Sequence, residues 1–154
     1  METSITDLVD AGELSLEVLY GLYIAGVTLI DEAEVRGYAY EIGDADIWLI
    51  QDGAVVYDGD FDYLDGYESI QAMRLNLSSL LLYLLAPEEA QEVSENRRSL
   101  VELISTYRLE FADDPRSLVM LDFIEASQID RIREETQRQR DDAGLLERKR
   151  RRID

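Results

Sequence analysis

Apolar residues recur at steps of three and four over most of the chain, which is the spacing of one face of an α-helix. The richest segment is 75–86, in which seven of twelve residues are leucine and none is charged. A helix that is apolar nearly all round must be covered on several sides. We therefore predict a buried central helix that begins near Tyr67 and ends at Ala86, because Pro87 suits the first turn of the following helix.

Further helices are expected on both sides of this central helix. A short polar helix or cap should cover residues 4–12, and a long helix should run from Leu14 to about Val35. Helical spacing also predicts one helix over 87–111, and Asp114 and Pro115 provide the N-cap and the first position of a final helix. The apolar residues that this final helix should bury are Leu118, Leu121, Ile124 and, at its end, Ile132.

The period of the pattern changes to two after the first long helix, which predicts β-strands. Two short alternating runs flank Asp52-Gly53, a dipeptide that favours a type I′ turn because both central positions of that turn need positive φ. A hairpin at 47–58 with this two-residue loop pairs Trp48 with Tyr57 on the face that we expect to pack on the helices. The sequence thus predicts a two- or three-stranded meander inserted between helices.

Composition narrows the class of protein. The chain has 154 residues, enough for one domain with its own core, and it lacks both cysteine and histidine. Acidic residues number 34 against 15 basic ones, and Lys149 is the single lysine. In these features the composition resembles proteins of salt-in halophiles, in which dense carboxylates keep a protein soluble while molar salt screens their repulsion.

The charge is distributed unevenly along the chain. Residues 1–96 hold 21 acids and two basic residues, a net charge of −19, whereas residues 97–154 hold 13 of each and are neutral. One basic cluster, 148–152, lies close to the C-terminus. An acidic body with a basic tail requires a separate explanation of the tail.

The segment before this cluster is predicted to be a solvated helix. Residues 133–143 alternate in charge sign, and Arg138 lies four residues from both Glu134 and Asp142, a spacing that favours ion pairs. We expect this helix to leave the body and to be interrupted near Gly144. The domain organisation is therefore a helical domain over 1–132 and a charged C-terminal arm over 133–154.

The acidic segment 58–68, expected to be a loop, contains the one candidate for a metal site. Asp58, Asp60 and Asp62 reproduce the first three ligand positions of a calcium loop. The match fails further on, because Tyr63 occupies the position that requires glycine. The alternative is a solvated acidic loop, so the sequence supports no more than a weak Ca²⁺ or Mg²⁺ site and no other cofactor.

Signatures of an enzyme or of a membrane protein are not found in the sequence. Without histidine or cysteine, the usual general base and the best nucleophile are missing, and no carboxylate pair is distinguished among the 34 acids. The longest uncharged run, 18–30, is too short to span a bilayer, and the N-terminus lacks the pattern of a secretory signal peptide. We therefore expect a protein that is neither an enzyme nor bound to membranes.

The basic tail has two candidate partners. It can hold DNA through phosphate contacts, as a transcriptional regulator would, although a body of charge −19 repels DNA. It can instead lie on an acidic protein surface, since the guanidinium fork of arginine pairs with carboxylates in a bidentate geometry. We favour the second interpretation, with an unpaired solubilising tail as a further alternative. The residues that we expect to bind the partner are Arg138, Arg140, Arg148, Lys149, Arg150, Arg151 and Arg152.

Together these elements predict an α+β fold that is mainly α: a helical bundle around a leucine-rich central helix, with an inserted β-hairpin and a projecting C-terminal helical arm. In its helix count, hairpin and tail this outline resembles the head–tail connector (adaptor) subunits of tailed viruses. The resemblance implies a homo-oligomeric virion component that docks on its own copies and on an acidic portal or tail protein. With the halophilic composition, it suggests a location in the virion or in the cytoplasm of a halophilic host.

Overall fold

The computed structural model describes the backbone of residues 3–64 and 67–153 and the side chains of residues 3–64 and 69–144. The described residues form an α+β structure that is mainly α, as predicted. The α-helices are α1 (Ile5–Asp10), α2 (Leu16–Arg36), α3 (Tyr67–Leu85), α4 (Pro87–Ser94), α5 (Leu100–Glu110), α6 (Pro115–Ser127) and α7 (Ile129–Ile153). The strands are β1 (Thr3–Ser4), β2 (Tyr38–Tyr40), β3 (Trp48–Gln51), β4 (Ala54–Tyr57) and β5 (Phe61–Tyr63).

Helix α3 is the predicted central helix, and it packs against α2, α4, α6 and strand β2. Leu77 and Leu81 are fully buried in the main hydrophobic cluster. One stripe of this helix is nevertheless exposed, and it includes Asn76, Ser79 and Tyr83. Covering on several sides is therefore confirmed, whereas three of the four polar residues of the segment face solvent and the fourth, Ser78, is buried.

Helices α2 and α3 approach each other closely at Gly26. A Cβ atom added at this glycine would lie 2.5 Å from Cδ2 of Leu77. The missing side chain thus provides the space into which Leu77 packs. Arg116 of α6 further ties α6 to α2 through two hydrogen bonds to the carboxylate of Glu17, at 2.6 and 2.9 Å, and these bonds lower the pKa of Glu17.

The hairpin has the predicted register. Trp48 pairs with Tyr57 and Gln51 with Ala54, and the φ angles of Asp52 and Gly53 are 52° and 83°. Trp48 is fully buried, and its indole N–H donates a hydrogen bond of 2.8 Å to the carbonyl of Ile42. The hairpin therefore packs on the helices through the expected face.

The sheets differ from a simple meander. The third strand beside β3 and β4 is the N-terminal β1, and β2 instead pairs with β5 in a separate two-stranded ribbon. The prediction of a loop over 58–68 was therefore wrong for β5. The phenol of Tyr57 stabilises this arrangement, because it donates to the carbonyl of Asp60 at 2.6 Å and accepts from the N–H of Glu41 at 3.0 Å.

The segment 87–111 contains two helices, where one was predicted. Helix α4 ends in a Schellman motif: the N–H of Arg97 donates to the carbonyl of Glu92, and Asn96 has a φ of 60°. Ser99 then caps α5 by accepting a hydrogen bond from the N–H of Glu102. The left-handed Asn96, followed three residues later by the N-cap Ser99, explains the break, which helical spacing alone could not reveal.

Asp114 and Pro115 begin α6 as predicted. The carboxylate of Asp114 accepts a hydrogen bond from the hydroxyl of Ser117, which is the main reason why the pKa of Asp114 is lowered. Leu121 and Ile124 are fully buried. The prediction of which residues this final helix buries was otherwise partly wrong. Leu118 and Ile132 are half-buried, because the face of α6 turned to the core is that of Ser117 and Met120, and Ile132 lies beyond the end of α6.

Replacing Gly26 with alanine should destabilise the protein despite the higher helix propensity of alanine. The added methyl group overlaps the side chain of Leu77, and overpacking of a core costs about 1–3 kcal/mol. Urea unfolding followed by circular dichroism in molar KCl would measure the loss. Gly144→Ala is the matched control, since a Cβ at Gly144 meets no atom within 4 Å; equal unfolding midpoints for both variants would contradict the prediction.

Candidate functional site

Helix α7 forms the predicted arm. Its 25 residues correspond to a length of about 37 Å at 1.5 Å per residue. Every residue from Thr136 to Ala143 is exposed. The expected interruption at Gly144 was wrong, because the backbone helix continues to Ile153; one glycine costs a helix only about 1 kcal/mol and does not end it.

The base of the arm is fixed to the body by three polar contacts. The Gln128 amide, just before α7, donates hydrogen bonds to the hydroxyls of Ser78 and Ser79 on α3, at 2.8 and 2.9 Å. Arg131 donates to the carbonyl of Val93 at the end of α4, at 3.1 Å. The carboxylate of Glu135 accepts hydrogen bonds from the residues at the start of α5. The arm is therefore held over its first two turns, and the described residues that follow, 136–143, are exposed.

A groove lies beside this base, between α3, the end of α4 and the arm. Its volume is about 680 Å³, within the range of about 300–1,000 Å³ typical of ligand pockets. It is lined by α3 residues between Gln71 and Leu75, by the α6–α7 junction and by α7 as far as Arg138. We call this feature the arm groove. It includes one of the residues predicted to bind a partner, Arg138.

Three arginines line the arm groove: Arg74, Arg131 and Arg138. Within the described side chains, Arg74 and Arg138 form no ion pair or hydrogen bond, although carboxylates outnumber basic groups by more than two to one. The pairs expected between Arg138 and its helical neighbours, Glu134 and Asp142, are not formed. Since Asp130 and Glu134 also line the groove, its rim carries both signs of charge, with two arginines left to pair with an incoming group.

Gln128 adds a second feature to the arm groove. This residue is only 2% exposed, yet it forms part of the groove lining. Its Oε1 atom is buried and accepts no hydrogen bond from the described residues. A buried acceptor without a donor costs about 1–3 kcal/mol, so the position of Gln128 at the junction of the arm and α3 is held at a cost in free energy.

The remaining predicted partner-binding residues lie on the arm. Arg140 is exposed and has no ion pair among the described residues. The backbone of the basic cluster 148–152 belongs to α7, but the side chains of Arg148, Lys149, Arg150, Arg151 and Arg152 lie outside the described residues. The structure therefore places the cluster on a helix and leaves its contacts undefined.

The three aspartates of the candidate calcium loop occupy different local structures. Asp62 lies in β5 and its carboxylate accepts a hydrogen bond from the N–H of Tyr63, at 2.7 Å. Asp58 and Asp60 lie in the turn before that strand, and both are exposed. In the part of the chain that the structure describes, these and other acidic residues form no group of three that could hold a metal ion.

Sequence reasoning identified the arm but missed the arm groove. Arg74 and Gln128 drew no attention because the groove arises from three helices that are distant in sequence. One signal was present: Arg74 is one of only two basic residues in the first 96. A lone arginine in so acidic a segment indicates a specific position for positive charge.

Comparison of the chain with protein-family models, with curated proteins and with solved structures finds no match. Among the described helices, none has the length and apolar character needed to cross a membrane. The arm and its groove are therefore the features of the molecule from which a function can be inferred.

Replacing Glu135 with alanine should loosen the base of the arm. Its carboxylate accepts hydrogen bonds from the hydroxyl of Ser99 and from the N–H of Leu100, at 2.9 Å for the latter, and it lies at the N-terminus of α5, where a negative charge is favoured. We expect a loss of about 1–2 kcal/mol in urea unfolding and faster hydrogen exchange in the first turn of α5.

Glu134→Ala provides the matched control for this experiment. Glu134 is the preceding residue of the same helix, is exposed, and has no partner among the described residues. The Glu134→Ala substitution removes the same charge as Glu135→Ala without breaking a contact among the described residues. If both variants were equally stable and exchanged equally fast at α5, Glu135 would not anchor the arm.

Proposed function

We propose that this protein is a non-enzymatic structural or assembly subunit that forms homo-oligomers and docks through its C-terminal arm. A head–tail connector of a halophilic virus is the kind of component we have in mind, located in the virion or in the host cytoplasm. The observation that carries the proposal is the exposed stretch of α7 from Thr136 to Ala143, which contacts no core.

A helix of this kind is unusual in a chain that acts alone. A helix that is polar all round bridges between bodies, is held by many i,i+4 side-chain pairs, or is not stable by itself. Between Thr136 and Ala143 the described side chains form one such pair, from Gln137 to Asp141 at 3.0 Å. The arm gains stability if a second surface covers it. Its basic cluster at 148–152 makes an acidic surface the natural complement.

The body of another copy of this chain is an acidic surface that the arm can bind. Residues 1–96 carry a net charge of −19, so the body offers many carboxylates to the arginines of an arm. The same charge makes two bodies repel each other at low ionic strength. At molar salt the Debye length is only about 3 Å, so long-range repulsion disappears while contact pairs and apolar contacts persist. Association should therefore require salt.

DNA is the alternative partner, in the role of a transcriptional regulator. Arg74, Arg138 and Arg140 have no ion pairs among the described residues, and this observation favours a phosphate partner as well as a carboxylate one. The charge of the body argues against DNA. The two alternatives make opposite predictions about salt, because binding to DNA weakens steeply as the salt concentration rises.

The full chain should form a defined oligomer in about 2 M KCl, and its mass should fall toward that of one chain as KCl is lowered. A chain ending at Ala143 lacks the basic cluster and should remain a single chain in the same buffer. Multi-angle light scattering measures both masses, and circular dichroism serves to verify that truncation leaves the body folded. A single chain at every salt concentration, or the same oligomer with and without the arm's end, contradicts the proposal.

Binding to duplex DNA should be weak even at low salt. Fluorescence anisotropy with a labelled duplex at about 0.05 M KCl measures it. Salt-sensitive binding that is lost when Arg148, Arg150, Arg151 and Arg152 become alanine would instead support the regulator.

A further inference from the structure

The ribbon formed by β2 and β5 carries an exposed aromatic surface. Phe61 and Tyr63 are 55% and 75% exposed. Tyr38 of β2 lies beside both, with ring centroids 4.5 Å from Phe61 and 6.3 Å from Tyr63. Clustered exposed aromatic rings are typical of protein–protein contacts. We call Tyr38, Phe61 and Tyr63 the aromatic ribbon.

Hydrogen bonds to neighbouring residues hold the aromatic ribbon in place. The N–H of Leu64 donates to the carbonyl of Gly37 at 2.9 Å, and the N–H of Tyr40 donates to the sulfur of Met73 at 3.4 Å. Tyr57, whose pKa is raised by burial, joins Glu41 and Asp60 through its phenol, at the end of the ribbon where Tyr40 pairs with Phe61. A surface that is already ordered loses less conformational entropy when it binds.

Acidic side chains lie next to the aromatic ribbon in the chain. Asp58 and Asp60, in the turn that leads into β5, are exposed and have no ion pair among the described residues, whereas Asp62 alternates with Phe61 and Tyr63 along β5 and faces the other side of the ribbon. The ribbon thus combines apolar rings with negative charge. A surface that receives it should offer apolar contacts and positive charge.

The arm groove offers both features. Leu75 and Ile129 in its lining are 42% and 43% exposed. Arg74 and Arg138 lack ion-pair partners among the described residues. We propose that the arm groove of one copy binds the aromatic ribbon of a second copy, with Phe61 and Tyr63 inserted and the aspartates beside the arginines.

The positions of the two surfaces determine the kind of assembly. Met73 of α3 contacts β2, while Gln71 and Leu75 line the arm groove. Residues two apart on a helix differ by about 200°, so ribbon and groove lie on opposite sides of α3. Contacts between two different surfaces repeat head-to-tail and give a closed ring or an open filament. This inference rests on the proposed homo-oligomer and adds a second contact to that of the basic cluster; stable association needs both.

The test uses two full-length variants in about 2 M KCl. The ribbon variant is Phe61→Ser with Tyr63→Ser, and the groove variant is Arg74→Glu with Arg138→Glu. Each should weaken association at least about 10-fold and run as a single chain where the unmodified protein is assembled. Mixed together, they should give a particle of two chains and no larger, because each variant retains the surface that the other lacks.

Matched controls separate the interface from general effects. Arg97→Glu with Arg133→Glu changes the charge equally at two exposed arginines that do not line the arm groove. Leu109→Ser removes an exposed apolar side chain, 82% exposed, away from the aromatic ribbon. Both controls should assemble like the unmodified protein. Asp58→Arg with Asp60→Arg, which keeps the rings, is a second ribbon variant in case the first misfolds, and it should abolish assembly as well.

The outcomes distinguish this inference from the proposed function. If the unmodified protein stays a single chain, the homo-oligomer itself is overturned. If it assembles and the ribbon and groove variants assemble equally well, the oligomer stands and this interface is overturned. If the variants are single chains but do not recover a two-chain particle on mixing, the head-to-tail pairing is overturned.

Discussion

The contact between α2 and α3 at Gly26 and Leu77 is the constraint on which the rest of the molecule depends. Leu77 occupies the space that a side chain at Gly26 would fill, so the two longest helices of the body pack at close range. This contact fixes the face of α3 that turns to the core. The opposite seam of α3 is thereby left to the arm groove and to solvent, and Met73 is left to support β2.

A second constraint is charge. Copies of a body with a net charge of −19 over its first 96 residues cannot approach each other at low ionic strength without a compensating gain. The chain concentrates most of its arginines in its second part, around the α4–α5 turn and on α7. Positive charge is therefore located where the arm meets the body. It is also placed on the one element that extends past the body.

The sequence was most informative where a local rule determines the geometry. The Asp52-Gly53 turn and the pairing of Trp48 with Tyr57 follow from backbone preferences of two residues, and both were predicted correctly. The start of α6 at Asp114 and Pro115 was also predicted correctly, because the preferences for an N-cap residue and for proline at the first helical position are local. Apolar spacing located α2 and α3 to within about two residues, because a long periodic pattern averages over local exceptions.

The sequence-based predictions were wrong where residues distant in sequence determine the local structure. The strand β5 forms because β2 is present to pair with it, and nothing in the acidic segment 58–68 encodes that partner locally. The break at Asn96 needed recognition of a cap that spacing cannot show. The arm groove likewise depends on α3, α4 and α7 meeting at Gln128, so only the fold brings Arg74 close to the arm.

The combination of rings and charges in the proposed interface is suited to a halophilic environment. Ion pairs alone weaken as salt screens them, whereas salts excluded from protein surfaces strengthen apolar burial. An interface made of arginines alone would therefore be weaker in the salt that lets acidic bodies approach. Insertion of Phe61 and Tyr63 between Leu75 and Ile129 supplies affinity that salt does not remove, and Arg74 and Arg138 then select the acidic ribbon over other apolar surfaces. Under these conditions charge gives specificity and the rings give strength.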